Sequence, residues 1–436
     1  MTKLQAYKNY QPVQYDYVEE LPNDWKLLPN IAIFQERIER GFVEEELLSV
    51  TIGKGVIRQI DVDIKKDSSN EDKSKYKLIK VGDIAYNKMR MWQGALGYSN
   101  YQGISSPAYV ILNPKMKINP KYFHYMFRSG FYTNYSKRFS YGIVDDQLSL
   151  RYTHFKRMYS IVPPIETQNA IVEYLDRKTK KIQEFISKKE RLIELLEEKR
   201  KIETQNFVTK GLVEKVDLKD TKTSWFGKIP KNWDFIKLKM FADFVSRGTS
   251  PNYVDGNGIP VISQAVFSAG FIDMSKYKYQ KTAKIEKFKG QLFNNDVLLA
   301  STGGGVLGKS FLFNQTGDYI ADGHVSIIRD SKQRFTPAFF FYILSINYNL
   351  IEGYLGQGST NQTELQREWF RNMFFPFPKI QEQNNIVNAI SKLNNDIDKV
   401  ISTAKTEIKK IKEYQESLVT QIVTGQLNVP ELNKLN

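Results

Sequence analysis

The sequence has no cysteine and only three histidines in 436 residues. Disulfides, thiolate metal sites and cysteine nucleophiles are excluded, and a reducing compartment fits. His124, His154 and His324 have no His or Cys partner at ligand spacing, so no metal is expected and they read as structural or polar-contact residues. No apolar run approaches the ~18 residues of a membrane span; residues 339–344 form one of the longest. Met1-Thr2-Lys3 opens no apolar secretory core. The expectation is a cytoplasmic protein with no membrane contact.

Catalytic signatures are equally scarce. Val162-Pro163-Pro164-Ile165 is not the Asn-Pro-Pro-aromatic motif of amino-methyltransferases, and no glycine-rich nucleotide fingerprint joins a strand to a helix. One pattern does match. Gly303, Gly308, Lys309 and Ser310 have the G-x-x-x-x-G-K-[ST] spacing of a phosphate-binding loop. Such a loop must open a helix, whose N–H groups face the phosphates. Here Phe311-Leu312-Phe313 is followed by the turn-like Asn314-Gln315-Thr316-Gly317, so a glycine-rich β-turn is the better reading.

What is present is bulk, positive charge and repetition. Forty-one per cent hydrophobic and 13% aromatic residues imply folded material, and the length suits two domains with connecting structure. The net charge is +15, with 24 basic against 17 acidic groups in residues 1–164 and 19 against 14 in residues 216–378. A basic surface suits a polyanion, because each cation beside a phosphate releases condensed counterions.

The chain is also written twice. Leu21-Pro22-Asn23-Asp24-Trp25 returns as Ile229-Pro230-Lys231-Asn232-Trp233, Val81-Gly82-Asp83-Ile84 as Asn294-Asn295-Asp296-Val297, and Gly94-Ala95-Leu96-Gly97 as Gly305-Val306-Leu307-Gly308. Pro120-Lys121-Tyr122-Phe123 returns as Pro337-Ala338-Phe339-Phe340, and Gln168-Asn169-Ala170-Ile171-Val172 as Gln383-Asn384-Asn385-Ile386-Val387; the offset of the last match is 215 residues and the others fall near it. Each copy opens with the Pro–Trp motif. Short β-like runs follow (78–86 and 106–112; 296–301 and 325–329), then a short aromatic helix opened by Pro120 or Pro337, then a long helix. The long helices carry matching stripes at alternating spacings of four and three: Ile182, Ile186, Lys189, Ile193, Leu196, Arg200, Glu203, Phe207, and Ile397, Ile401, Ala404, Ile408, Ile411, Gln415, Leu418, Ile422. Pro163-Pro164 and Pro378 precede them, and Gly211 and Gly425 stand where left-handed stops are wanted. Two equal helices closing two repeats predict mutual pairing, with Lys189, Arg200, Glu203 and Gln415 as register-setting polar contacts.

Ser224-Trp225-Phe226-Gly227-Lys228-Ile229-Pro230-Lys231-Asn232-Trp233 resembles the opening motif of type I restriction-modification specificity subunits. Pro163-Pro164-Ile165-Glu166-Thr167-Gln168 resembles that family's proline-then-Glu-Gln approach to its long helices, with Thr167 in place of Glu; the second copy keeps Glu382-Gln383 but has Lys379 for the second proline. Residues 82–90 and 103–109 also resemble a pattern of the family's first domain. The resemblance covers essentially the whole chain and implies an α+β fold. Two mixed α/β target-recognition domains, residues 1–164 and 213–378, alternate with two long antiparallel helices, residues 165–212 and 379–436, as a coiled-coil spacer in a pseudo-twofold duplication. It implies no catalysis and no cofactor in this chain, which would direct two methylation subunits and two restriction subunits to a bipartite, asymmetric site in double-stranded DNA. S-adenosylmethionine, ATP and Mg2+ would act in those partners.

Polar and basic residues in turn-rich stretches are the candidates for DNA contact. They are Lys54, Arg58, Lys88, Arg90, Gln93, Tyr141 and Gln147 in the first copy, and Arg247, Thr249, Tyr253, Gln264, Lys309, Gln357, Thr360 and Asn361 in the second. The rival readings are a nucleotide-dependent DNA enzyme using the 303–310 loop, a coiled-coil scaffold with two protein-binding domains, and a solitary DNA-binding adaptor.

Overall fold

The structure is a computed structural model that describes residues 4–430, apart from 16–17, 63–71, 214, 224, 282–284, 286–287, 304, 349–350, 352, 354–355 and 358–363. The chain forms two compact units, Met1–Glu190 with Lys405–Asn436, and Arg191–Ala404. Both long helices, Ile165–Lys210 and Ile380–Val423, are shared out between the units.

Each unit is built on a four-stranded antiparallel sheet of one topology. In the first unit the strands are β1 (Phe34–Arg37), β2 (Ile84–Asn87), β3 (Leu96–Tyr98) and β4 (Tyr109–Pro114), in the order β1-β4-β2-β3. In the second they are β5 (Phe244–Arg247), β6 (Val297–Ala300), β7 (Ser310–Leu312) and β8 (Val325–Arg329), in the order β5-β8-β6-β7. The β-like run at 78–86 is two strands, because Gly82 at φ +94° breaks it. Lys77–Ile79 pairs with Gly103–Ser105 in a separate ribbon, while β2 joins the main sheet.

The turn before β2 and its repeat-mate before β6 each carry a nearly fully buried aspartate, Asp83 and Asp296. Each carboxylate closes its own turn by accepting a backbone N–H, from Lys80 and from Phe293, both at 2.8 Å. Each also receives a bidentate guanidinium. Arg37 at the end of β1 serves Asp83, and Arg329 at the end of β8 serves Asp296. A buried carboxylate is tolerated only when so paired. Burial still raises the Asp296 carboxyl above its ordinary value, although Arg329 pulls the other way.

The aromatic helices Pro120–Arg128 and Pro337–Ile346 begin at their prolines, where a missing N–H costs nothing. Their starts are clamped to the long helices by one buried glutamine per unit. Gln168 Oε1 accepts from the Asn119 N–H (2.8 Å) while its Nε2 donates to the Pro163 carbonyl (2.7 Å). Gln383 repeats both bonds, from the Thr336 N–H (2.7 Å) and to the Pro378 carbonyl (2.8 Å). Asn169 and Asn384 add one bond each, from Asn119 Nδ2 and Thr336 Oγ1.

Within each unit the two long helices run antiparallel. In the first, Ile171 and Leu175 share a core with Leu418 and Ile422, and further along Lys189 pairs with Glu407 at 2.6 Å. In the second, Val208 shares a core with Ile386 and Ile390, and Arg200 pairs with Asp398. The striped positions Ile182, Ile186, Ile397, Ile401, Ala404, Leu418 and Ile422 are all buried. Of the polar positions, Lys189 and Arg200 form ion pairs within their units.

The glycines that end the long helices are left-handed, Gly211 at φ +77° and Gly425 at +79°. A Cβ on Gly425 would lie 2.6 Å from Pro22 and 3.2 Å from Trp25; one on Gly211 would lie 3.3 Å from Trp233. The two repeated tryptophans, both essentially buried, therefore sit on the two helix ends. Trp233 Nε1 donates to Glu382 at 2.9 Å. In the first copy Glu382 is replaced by Thr167, and the buried Trp25 Nε1 has no partner among the described residues. Thr167→Glu is expected to supply the missing acceptor and add about 1 kcal/mol. That would raise the midpoint of thermal unfolding by about 2–4 °C, as read by circular dichroism. An unchanged midpoint would show that the indole N–H is not the deficit.

Candidate nucleic-acid interface

The equivalent strands β2 and β6 leave their sheets in the same way. Beyond β2, the Lys88 N–H donates to the Ala108 carbonyl (3.2 Å) and the Lys88 carbonyl accepts from the Leu150 N–H (2.8 Å). Beyond β6, the Ser301 N–H donates to the His324 carbonyl and the Ser301 carbonyl accepts from the Leu365 N–H, both at 2.8 Å. A later hairpin is thereby strapped onto each strand exit. Around these two exits lie most of the candidate residues.

In the second unit the exit opens into a cleft of about 740 Å³. It gathers three sequence candidates, Arg247, Tyr253 and Gln264, with His324, read from the sequence only as a structural or polar-contact residue, and with Thr302 and Glu364, which the sequence did not single out. Arg247, at the end of β5, holds Glu364 and the Leu365 carbonyl. Thr302 Oγ1 donates to Gln264 Oε1 (3.4 Å) and lies 2.9 Å from His324 Nδ1. Gln264 keeps its NH2 group as a donor. Tyr253 is 45% exposed, with the Lys278 ammonium 5.2 Å from its ring centre. Asp322 shapes the turn by accepting the His324 N–H (2.9 Å), and burial raises its carboxyl above the usual range. Thr249 stands beside the cleft but its hydroxyl accepts from the Gly290 N–H, a fold-holding contact.

In the first unit the exit is an exposed rim. Lys88, Arg90 and Gln93 follow β2, and Arg90 donates to Gln93 at 3.2 Å. Burial, and next the charge of Lys77, lower the Lys88 ammonium below an ordinary lysine. Tyr141 and Gln147 belong to the hairpin strapped there; Tyr141 is 76% exposed and Gln147 is exposed.

Lys54, Arg58 and Lys309 lie elsewhere. Lys54 is in the turn between Leu48–Thr51 and Gly55–Arg58, and lines a cavity of about 370 Å³ with His124, Arg128, Thr179, Lys412 and Glu416. Arg58 pairs with Glu46 (3.2 Å) and stacks on Tyr101. Lys309 donates to the Ser268 carbonyl at 3.0 Å. Gln357 falls in a short strand, Gly356–Gln357, opposite Glu364–Leu365, while Thr360 and Asn361 lie outside the described residues.

The 303–310 loop joins β6 to β7, and Ser310 begins a strand instead of a helix. The N–H groups of Val306 and Leu307 donate to the Gly303 carbonyl, that of Gly308 to Ala300 and that of Lys309 to Val306. A phosphate cradle needs such groups unspent and aimed outward. The nucleotide-enzyme reading therefore has no geometry behind it.

Residues 230–410 match the family model described as the type I restriction modification DNA specificity domain. Over 457 aligned residues, 98% of this chain and 99% of the relative, the sequence is 25% identical to a putative type I restriction enzyme MjaX specificity subunit of Methanocaldococcus jannaschii. The MjaVIII specificity subunit of the same organism is 23% identical over 83% of this chain and 84% of its own length. Among solved structures, a chain from a study of complex assembly and conformational transition in the type I R-M system aligns with a TM-score of 0.73 at 14% identity, over 93% of this chain and 99% of that one. The HsdS subunit from Thermoanaerobacter tengcongensis aligns at 0.57 and 14% identity, over 95% of this chain and 100% of that one. These two establish the likeness of fold.

Two tests follow from the geometry. Mixing the chain with Mg-ATP should give no binding heat in titration calorimetry, and Lys309→Ala should behave identically; saturable binding lost in the variant would restore the nucleotide reading. His124 is a pH-sensitive point. Its Nδ1 accepts the Tyr98 N–H at 3.2 Å, and burial, followed by the charge of Arg128, lowers its pKa to about 3. The unfolded chain, with a histidine pKa of about 6.5, thus binds the proton that the folded chain refuses. Its contribution is whole above about pH 6.5 and fades as pH falls toward 3, with about 2 kcal/mol lost between pH 7 and 5. Denaturant unfolding at the two pH values should show that loss in the wild type and a smaller one in His124→Gln.

Proposed function

Since the chain belongs to the DNA-specificity subunits of type I restriction-modification systems, we propose that its two units each read one half of a bipartite, asymmetric duplex site. The family is one of non-catalytic DNA-recognition subunits: the chain chooses where its partners act. The observation that carries the two-site reading is the duplicated strand exit. Each copy puts polar and cationic side chains on the same topological feature, with different residues at matched places: Lys88 against Ser301, and Ala108 against His324. One scaffold presenting two unlike sets of groups is what an asymmetric site demands.

Cations position the backbone, and a few hydrogen-bonding groups discriminate base edges. Lys88 and Arg90 serve phosphates in the first half-site. In the second, Gln264 and Arg247 suit adenine and guanine edges respectively, and Glu364 holds the guanidinium until DNA displaces it. The reading segments are residues 1–164 and 213–378. Two methylation subunits pack along the long helices, for which Leu192, Leu195 and Ile202, 36–50% exposed on one face of the first long helix, offer an apolar stripe. Restriction subunits complete the assembly, and S-adenosylmethionine, ATP and Mg2+ act within the partners. The complex works where the chromosome is, in the cytoplasm.

Methylome sequencing tests this reading. Replacing residues 213–378 by the matching segment of a relative should change one half of the modified sequence and leave the other intact. Arg247→Ala should relax one position in that same half, at a cost of about 1–3 kcal/mol. Changes in both halves would refute independent reading.

A further inference from the structure

The hairpin strapped onto the rim of the first unit has an unusual tip. Ile143 is 94% exposed and Val144 54%, beside Tyr141 at 76%. A branched aliphatic side chain held almost wholly in water is left there at a cost, since burying it is favourable wherever a surface exists to receive it.

The tip is held in shape. Tyr141 and Ser149 exchange both backbone hydrogen bonds, at 3.1 and 2.9 Å. The Gln147 N–H closes onto the Val144 carbonyl (2.9 Å). A Cβ on Gly142 would lie 2.7 Å from the Gln147 backbone, so the two arms touch. Lys137 anchors the far arm, with its ammonium 2.9 Å from Asp145 and 4.7 Å from the ring centre of Trp92. The Leu150 N–H fastens the root to the Lys88 carbonyl.

We propose that Ile143, with Val144 behind it, is a wedge that enters a base-pair step of the duplex read by the first unit. The inference rests on the DNA-reading function proposed above. Apolar wedges of this kind partly unstack a step and kink the duplex, which brings more of its backbone onto the protein. The surroundings fit that occupant. Lys137, Arg138 and Arg151 flank the hairpin in sequence and Lys88 is bonded to its root, against Asp145 and Asp146, and Asp145 is already paired. A stable protein partner needs about 800 Å² on each side. Two aliphatic side chains on a narrow turn offer far less, whereas they match the gap between two parted base pairs. The kink also gives Lys88, partly desolvated at the root, a phosphate to approach.

The test uses the full chain assembled with its methylation and restriction subunits, on a duplex taken from its own modified sites. Adenines of the first half-site are replaced one at a time by 2-aminopurine, and thymines are probed with permanganate. The wild type should brighten or sensitise bases at one step. Ile143→Gly should abolish that signal and weaken site binding about tenfold, with thermal unfolding and the methylated sequence unchanged, while Ile143→Met keeps the signal. Selective binding by the wild type with no unstacked base would overturn the wedge and leave the DNA-reading function standing. An Ile143→Gly chain that no longer assembles with its partner subunits would make the tip a protein contact and equally overturn it. A wild-type assembly that binds its site no better than unrelated duplex would overturn both.

Discussion

Gln168 and Gln383 use both ends of one carboxamide, accepting a backbone N–H at the start of an aromatic helix and donating to the proline carbonyl that precedes a long helix. No other side chain of that length and polarity does this: a glutamate has no proton to donate, and a leucine has neither function. All four backbone partners depend on the glutamine, and leaving one buried partner unmade costs about 1–3 kcal/mol. The clamp decides where each long helix departs from its sheet-bearing layer. Everything farther along, including the ion pairs Lys189–Glu407 and Arg200–Asp398 within their units, takes its register from that departure.

The duplication preserves roles more faithfully than residues. Asp83 and Asp296 are mates, buried in the same turn before the same strand, yet the arginine that neutralises each comes from a different strand end, Arg37 after β1 and Arg329 after β8. The carboxylate is fixed by the turn it closes. The guanidinium is long enough to arrive from either side, so its origin is free to drift. The tryptophans show the converse. Both are retained on helix-ending glycines, but only Trp233 keeps its acceptor, because Thr167 is too short to stand in for Glu382.

Local signals were the readable ones. Prolines at helix starts, left-handed glycines at helix ends, the apolar stripes and the paired motifs are all short-range, and each has its place in the fold. The strand run at 78–86 misled because a single glycine at positive φ divides it between two sheets. The candidate surface was legible only in outline. Arg247, Tyr253 and Gln264 share a cleft, but their partners Thr302, His324 and Glu364 come from distant segments with no motif of their own. His324 had one faint signal, the Asp322-Gly323 turn that holds it. Lys309 sits in the most motif-like stretch of the chain and has its ammonium on a backbone carbonyl. Spacing cannot reveal where a flexible four-carbon side chain turns.

The make-up of the first unit carries a consequence for how the chain is born. Its core includes Leu418, Ile422, Val423 and Val429 beside Leu21, Trp25 and Tyr122, and the Tyr122 hydroxyl donates to the Val423 carbonyl at 3.0 Å. The second unit needs nothing beyond Ala404. A ribosome adding roughly 5–20 residues per second therefore releases everything the later-coded unit requires before the earlier-coded one can close. For the ten seconds or more that separate Glu190 from Leu418 at those rates, the aromatic core around Trp25 waits with one wall missing. The nascent chain is most exposed to chaperones and proteases in the unit around Trp25, and the second long helix is the one that seals it.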